Sequence, residues 1–159
     1  MNIFILDYDV KKCAEYHVDK HVVKMILETA QLLCGVHHMT PQVTNQVPYK
    51  LSHKNHPCAI WTRESLSNYL YLCEFGLALC EEYTYRYGKI HKCQQSGLVD
   101  ELGSCPNNIR SGQFTEVTPA MPDNIKVTGN SLQSYRNYYI QYKKSFARWT
   151  NRETPSWIS

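Results

Sequence analysis

The chain opens with residues arranged for a short extended segment and then a helix. Residues 3–6 are an apolar run, and Asp7 or Asp9 behind it can cap the helix that follows. From about residue 10 to residue 34 there is neither Gly nor Pro, and Gly35 is a residue type that ends helices. Apolar residues recur in this stretch at helical spacing, so we predict one long amphipathic helix over 10–34.

A stripe of polar side chains lies along one face of this predicted helix, because steps of four and three residues return to the same side. The stripe consists of His17, His21, Lys24, Glu28 and Gln31. Glu28 lies four residues after Lys24, so its carboxylate can hold the Lys24 ammonium group. The stripe is either a solvated face with an ordinary ion pair or a site that handles protons and phosphates. Its two histidines favour the second interpretation.

A second helical pattern covers residues 57–87 and ends before Gly88. A loop of about twenty residues separates it from the first helix and holds Pro41, Asn45 and Pro48. Its many apolar positions indicate the central helix of the fold.

The residues that introduce this second helix are rich in hydrogen-bond donors. They read HKNHP at 53–57, and Pro57 suits a first helical position, with Asn55 or His56 as the cap. The positive end of a helix dipole attracts anions, so His53, Asn55, His56 and Arg63 are candidate phosphate-binding residues. The alternative is an ordinary cap whose histidines have no further role.

Cations and aromatic rings alternate at the end of the second helix, in the stretch 81–92. Arg86, Tyr87, Lys89 and His91 have the composition expected where bases stack and phosphates are bound. We predict them as substrate-binding residues. The competing interpretation is that lysines near a helix end stabilise its dipole.

The remaining chain is predicted as a long loop over 93–130 and a last helix over 131–149, after which Trp157 anchors the tail. Loops of this length in small domains usually bind ligands or act as lids. The predicted fold is therefore mainly α: a single-domain helical bundle over 1–159, with a short N-terminal extended segment and a long ordered loop.

Composition narrows the function classes. No apolar run approaches the roughly 20 residues of a membrane span, and no secretory signal is apparent, which predicts an intracellular, cytoplasmic protein. Seven cysteines without a CxxC pair indicate reduced thiols. His17 and His21 are spaced to share a metal ion, but no third ligand is apparent and Lys24 would repel a cation, so neither metal nor cofactor is predicted. The net charge is only +3, yet residues 131–152 hold five cations and no acid.

The order of motifs carries a resemblance. The chain reads MNIF, DKHVVKMILETAQLL, KNHPCAIW, LCEEYTYRYGK and then a Tyr- and Lys-rich helix with a closing Pro and Trp. This order is similar to that of small proteins of tailed phages and large DNA viruses. More distantly it resembles the pyrimidine dimer DNA glycosylase family of the endonuclease V type. The resemblance implies an all-helical fold whose N-terminus and first helix border the active site.

The family's chemistry is attack on a sugar C1′ by an amine, which gives an imine that can undergo strand cleavage by elimination. Glu28 best matches the assisting glutamate of the family, and Lys20, His21 and Lys24 match its DNA backbone contacts. The resemblance makes Glu28, His21, Lys24 and His17 the candidate catalytic residues, with the two histidines positioning phosphate or water.

One departure concerns the nucleophile. The best-known members use the α-amine of a small residue exposed when Met1 is removed, whereas Asn2 ordinarily prevents that removal. The amine of Met1 or of a lysine such as Lys24 would have to serve, unless the enzyme is monofunctional or the lesion chemistry has been lost. Glu28 favours a charged Lys24 and hence a phosphate contact.

The sequence thus predicts a metal-independent DNA-acting enzyme of the glycosylase or abasic-site lyase class, with DNA as its partner and, for a viral protein, the host cell as its location. The alternatives are an enzyme for a free nucleotide or small phosphate compound and a non-enzymatic nucleic-acid-binding module. All three hypotheses depend on the prediction that the stripe and the HKNHP residues surround one anion-binding pocket.

Overall fold

The regular elements of the fold are all helices in the part of the chain that the computed structural model describes, residues 1–39 and 47–158. The prediction of a mainly α fold is confirmed. The α-helices are α1 (Val10–Tyr16), α2 (Asp19–His38), α3 (Pro57–Glu64), α4 (Leu66–Tyr87), α5 (Lys92–Gln95), α6 (Leu98–Leu102) and α7 (Ser131–Tyr142). Short 3-10 turns lie at Asp123–Ile125, Lys144–Phe146 and Ser156–Ile158.

The first predicted helix is in fact two helices. Asp9 caps α1 by accepting a hydrogen bond from the Lys12 amide at 2.9 Å, as one of the two predicted caps. His17 and Val18 are then extended, with ψ of 135° and 152°, and α2 begins behind them. Gly35 is not the end, since α2 continues to His38. The sequence has no Gly or Pro at the break between α1 and α2. We therefore attribute the break to tertiary packing of the two helices and not to local helix propensity.

The second predicted helix is also divided. Ser65 is extended, with φ of −149° and ψ of 156°, and its hydroxyl caps α4 by accepting from the Asn68 amide at 3.1 Å. Its hydroxyl donates in turn to the Gln113 carbonyl. Pro57 at the start of α3 and Gly88 after α4 stand where the sequence predicts them, and Gly88 has the left-handed φ of 62° that favours glycine.

Antiparallel packing of α2 against α4 forms the centre of the core. Asp19 at the start of α2 contacts Arg86 at the end of α4, and His37 contacts Tyr69 at the other end. Midway, a Cβ on Gly76 would lie 3.1 Å from Thr29 Cγ2. The missing side chain at position 76 therefore lets the two helices approach closely.

The remaining elements differ partly from the prediction. The loop over 93–130 contains α5, α6 and a 3-10 turn, and α7 ends at Tyr142 because the chain turns there to bring Trp149 onto α1. Trp157 packs edge-on against Tyr16. Pro41 and Asn45, two residues of the predicted first loop, lie outside the described residues. No described helix is long and apolar enough to cross a membrane.

Candidate active site

The N-terminal amine lies against α2 in the middle of the predicted polar stripe. The Met1 nitrogen is 3.5 Å from Glu28 Oε2, and Lys24 Nζ is 3.2 Å from Glu28 Oε1. The Glu28 side chain is 12% exposed and that of Lys24 is 68% exposed. These three groups, which we call the amine site, put a carboxylate between the amine of the half-buried Met1 and the exposed ammonium group of Lys24.

The segment behind Met1 is fixed at several points. The Phe4 ring stacks on the His21 ring with centroids 4.4 Å apart, and the Asn2 side chain donates to the Ala120 carbonyl at 3.1 Å. Arg136 Nε donates to the Leu6 carbonyl at 2.9 Å. Residues 3–6 are buried, as the apolar run predicts. The position of the amine is therefore set by α2 and by residues far along the chain.

The start of α3 faces the same amine. His56 caps α3, since its Nδ1 accepts from the Cys58 amide at 3.1 Å. Burial lowers the pKa of His56, the positive charges of the Met1 amine and of His53 lower it further, and Glu28 opposes them. His56 thus lies within electrostatic range of both the amine and the carboxylate.

A small cavity joins the two sets of residues. Met1, Gln31 and Gly35 line it from one side, and Lys54 and Arg63 line it from the α3 side. Arg63 Nη1 donates to the Lys54 carbonyl at 2.7 Å, which holds the turn before α3 in place. One part of the polar stripe and the residues around the start of α3 therefore meet at the amine.

The resemblance implied that the N-terminus and the first predicted helix border the active site, and the Met1 amine lies against Glu28 on α2. A family model described as pyrimidine dimer DNA glycosylase matches residues 1–95. The chain belongs to this family. No curated protein and no solved structure gives a significant match. The match covers α1 to α5 and the whole amine site, whereas α6 and α7 lie beyond it.

Two residues of the stripe lie away from the amine site. His17 is fully buried, with Nδ1 2.7 Å from the Cys13 carbonyl, and His21 is 8% exposed, with Nδ1 2.6 Å from the Tyr139 hydroxyl. Burial is the main cause that lowers the pKa of His17 to about 4 and that of His21 to about 3. Both are neutral core groups at pH 7, so the structure gives them no catalytic position: His21 supports Phe4, and His17 packs beneath.

Arg86 also lies away from the amine, in what we call the buried ion network. Its Nε donates to Glu82 Oε1 at 2.6 Å, its Nη1 to Asp19 Oδ1 at 2.8 Å and its Nη2 to the Glu15 carbonyl at 2.9 Å. Arg152 completes the network through Glu82 Oε2 at 2.8 Å. Although burial alone would raise it, the hydrogen bonds from Arg152 and Arg86 keep the pKa of Glu82 below its ordinary value. With its donors used in this way, Arg86 is unavailable to a substrate.

The other predicted binding residues are distributed over the surface. Lys20, His53, Asn55 and Lys89 are exposed, and His53 has a left-handed φ of 52°. Tyr87 and His91 are half-buried, and His91 caps α5 by accepting from the Cys93 amide at 3.2 Å. Burial is the first cause that raises the pKa of Tyr87 and lowers that of His91. In residues 1–39 and 47–158 no three His, Cys, Asp or Glu side chains are grouped to hold a metal ion.

Sequence reasoning left out residues of the C-terminal part that lie close to the site. Tyr139 holds His21, and Ala120 holds Asn2. Lys143 and Phe146 approach Lys20 on α2. The acid-free basic stretch over 131–152 was the one available signal for these last contacts.

Proposed function

We propose that the protein is a DNA glycosylase with abasic-site lyase activity, and that the α-amine of Met1 is its nucleophile. Membership of the pyrimidine dimer DNA glycosylase family supports DNA repair as the general role. The observation that carries the finer proposal is the Met1 nitrogen 3.5 Å from the enclosed carboxylate of Glu28.

The proposed reaction uses the Met1 amine and Glu28. Glu28 first takes a proton from the ammonium group, which frees the nitrogen lone pair. That lone pair bonds to C1′ of the deoxyribose while the bond from C1′ to the base breaks, and the base leaves with the electron pair and takes up a proton. The bonded nitrogen then loses a proton, its lone pair expels O4′, which is protonated as the ring opens, and a protonated imine remains. Removal of a C2′ proton then expels the 3′ phosphate by elimination.

Met1 suits the role of nucleophile better than Lys24. Lys24 is 68% exposed, so no burial favours a neutral amine there, and its ammonium pairs with Glu28 at 3.2 Å. Proteins' α-amino groups also lose their proton at lower pH than lysine side chains do. Lys24 is left to neutralise Glu28 and to contact phosphate.

Borohydride trapping tests the nucleophile directly. The protein is incubated with duplexes that contain an abasic site, a thymine dimer or uracil, and borohydride reduces any imine to a stable amine. We expect a covalent adduct on at least one duplex, and peptide mass mapping should place it on Met1. An adduct on a lysine peptide, or none on any duplex, contradicts the proposal.

Matched N-terminal variants sharpen this test. Extension of the chain by two residues before Met1 should abolish the adduct, because the new amine is displaced from the site. Acetylation of the Met1 amine should also abolish it, because an amide cannot form an imine. The same two residues added after residue 159 serve as the control and should leave the adduct unchanged. A fully active N-terminally extended protein would overturn the role of Met1.

Metal independence and location belong to the same proposal. The steps above use only proton transfer and an amine, so saturating EDTA should leave the trapping rate unchanged; loss of trapping that added Mg²⁺ or Zn²⁺ restores would contradict this. A DNA substrate would place the protein inside a cell, and a phage or viral origin stays a prediction.

A further inference from the structure

The Met1 side chain occupies a gap between α2 and the chain around the start of α3. Met1 as a residue is half-buried, yet its side chain is only 8% exposed, so solvent reaches mainly its backbone, where the amine is. Apolar side chains from both parts of the chain line the gap: Leu32, Val36, Leu51 and Ala59. The Ser52 hydroxyl lies 4.0 Å from Met1 Sδ. We call these contacts of the Met1 side chain the methionine seat.

The Met1 side chain leaves little free space in the methionine seat. The cavity that remains beside it has a volume of about 10 Å³. A single water molecule needs about 10 to 15 Å³, so neither a nucleobase nor a sugar can enter this cavity. The Met1 side chain itself packs against the hydrophobic core. A shorter side chain would therefore leave a void, whereas a side chain of similar volume would fill the seat.

The contacts behind Met1 fix which residue of the chain reaches Glu28. The Asn2 side chain donates to the Ala120 carbonyl at 3.1 Å, and residues 3–6 are buried in the core. Without Met1, these contacts would keep the first nitrogen about 3.5 Å farther along the chain, the length of one extended residue. The Met1 nitrogen is 3.5 Å from Glu28 Oε2, so that displacement would break the pair.

We propose that the Met1 side chain positions the nucleophile, because its packing in the methionine seat holds the α-amine against Glu28. The retained initiator methionine then has two parts with separate roles, an amine that reacts and a side chain that fixes where the amine lies. Asn2 contributes twice, since it ordinarily prevents removal of Met1 and its side chain also holds the segment in register. This inference rests on the proposed function, which assigns the reacting amine to Met1.

Variants of the first residue test this role through the rate of imine trapping. They are made by proteolytic release from an N-terminal fusion, because translation itself starts with methionine. Under single-turnover conditions we expect Met1→Ala to trap about 10- to 100-fold more slowly, since a misplacement of about 1 Å can cost about 10² in rate. Met1→Leu, which has a similar volume, should trap within about threefold of the wild-type rate. Protein that begins at Asn2 should trap no faster than Met1→Ala.

Affinity and stability measurements separate positioning from a general loss of structure. Anisotropy with a fluorescent duplex that carries a tetrahydrofuran abasic analogue measures binding without chemistry. Met1→Ala should bind this duplex within about twofold of wild type, so that the loss appears in the rate and not in the affinity. The matched control is Ile158→Ala, which truncates a buried side chain of the last 3-10 turn. It should lower the urea midpoint and leave the trapping rate of the folded protein unchanged.

Oxidation by dilute hydrogen peroxide tests the methionine seat without any DNA. Peroxide converts an accessible methionine sulfur to the sulfoxide, and peptide mass mapping follows each methionine separately. Met39 is 45% exposed and serves as the internal standard. We expect the Met1 sulfur to oxidise at least about tenfold more slowly than the Met39 sulfur, because its side chain is enclosed. Equal rates of oxidation would overturn the seat.

The outcomes distinguish this inference from the proposed function. Adducts on residue 1 that form equally fast in Met1→Ala and in wild type would remove the positioning role and keep the amine as the nucleophile. If the wild-type protein forms no adduct on any duplex, the proposed function is removed. Slow oxidation of the Met1 sulfur would even then support the methionine seat.

Discussion

The buried ion network and the amine site both contact α2, and they differ in how fully their charges are used. In the network the Arg86 side chain is fully buried, and its donors reach two carboxylates and a carbonyl. In the amine site Glu28 lies between the amine of Met1, a half-buried residue that lines a cavity, and the exposed ammonium group of Lys24. The Arg86 guanidinium is enclosed by protein partners, although Glu82 and Arg152 of the network also line a surface cavity, whereas the Lys24 side of the amine site is open to solvent.

This difference shows how the same residue types take structural or chemical roles. A buried ion pair that lacks spare donors holds elements together, here the C-terminal segment around Arg152 against α1, α2 and α4. A carboxylate paired with an amine whose residue lines a cavity can exchange protons with that amine when a molecule binds there.

Exchanging the carboxylate of the amine site should separate chemistry from stability. Glu28→Gln removes the group that takes the amine proton, and we expect the rate of imine trapping to fall by about 10²- to 10⁴-fold while the free energy of unfolding changes little. Glu74→Gln, on the exposed face of α4, is the matched control for both measurements. A Glu28→Gln protein that traps at the wild-type rate would falsify the catalytic role of Glu28.

Loss of the central cation should show what the buried ion network contributes. Arg86→Met leaves the buried Glu82 and the half-buried Asp19 with fewer partners, and we expect the free energy of unfolding in urea to fall by about 3 to 5 kcal/mol. Any loss of trapping should then follow the fraction unfolded. A decrease in the free energy of unfolding of less than about 1 kcal/mol would mean that the network contributes no more than exposed ion pairs do.

Burial of His17 should make stability depend on pH. Its pKa is about 4 in the folded protein and near the ordinary 6.5 when unfolded. As the pH falls from 6.5 towards 4, the unfolded chain gains a proton that the folded protein excludes, so the free energy of unfolding should decrease by up to about 3 kcal/mol. Urea midpoints at pH 7.5 and 4.5 measure this. His17→Leu should reduce the decrease, and exposed His53→Gln should retain it.

The smallest effect is expected at the exposed end of the amine site. Lys24→Met removes a pair that is 68% exposed on the lysine side, and such pairs contribute at most about 1 kcal/mol. The urea midpoint should therefore hardly move, while trapping under single-turnover conditions should still occur on Met1. A loss comparable to that of Arg86→Met would remove the contrast between the two groups.

The helical fold and the cap positions could be predicted from the sequence because they depend on local signals. Asp9, Pro57 and Gly88 act on the residues next to them. The breaks at His17 and Ser65 could not, because packing and contacts with distant residues set them, such as the bond from Ser65 to Gln113.

For the candidate site, helical spacing indicated that Lys24 and Glu28 would meet, and it grouped His17 and His21 with them. Spacing could not show which part of a stripe the N-terminal segment covers. Phe4 stacks on His21, whereas Met1 pairs with Glu28. Which of these residues the N-terminal segment contacts depends on the folded path of the chain. The ion pairs of Arg86 could not be predicted for a similar reason, since its partner Asp19 lies 67 residues away in the chain.

The close approach of α4 to α2 at Gly76 links the packing of these two helices to the position of the Glu28 carboxylate. One methyl group at this position would press on Thr29, the neighbour of Glu28 in sequence, with only 3.1 Å available. Thr29 would have to shift by a few tenths of an ångström, and a shift that reached the helix backbone would change the distance from Glu28 to the Met1 amine.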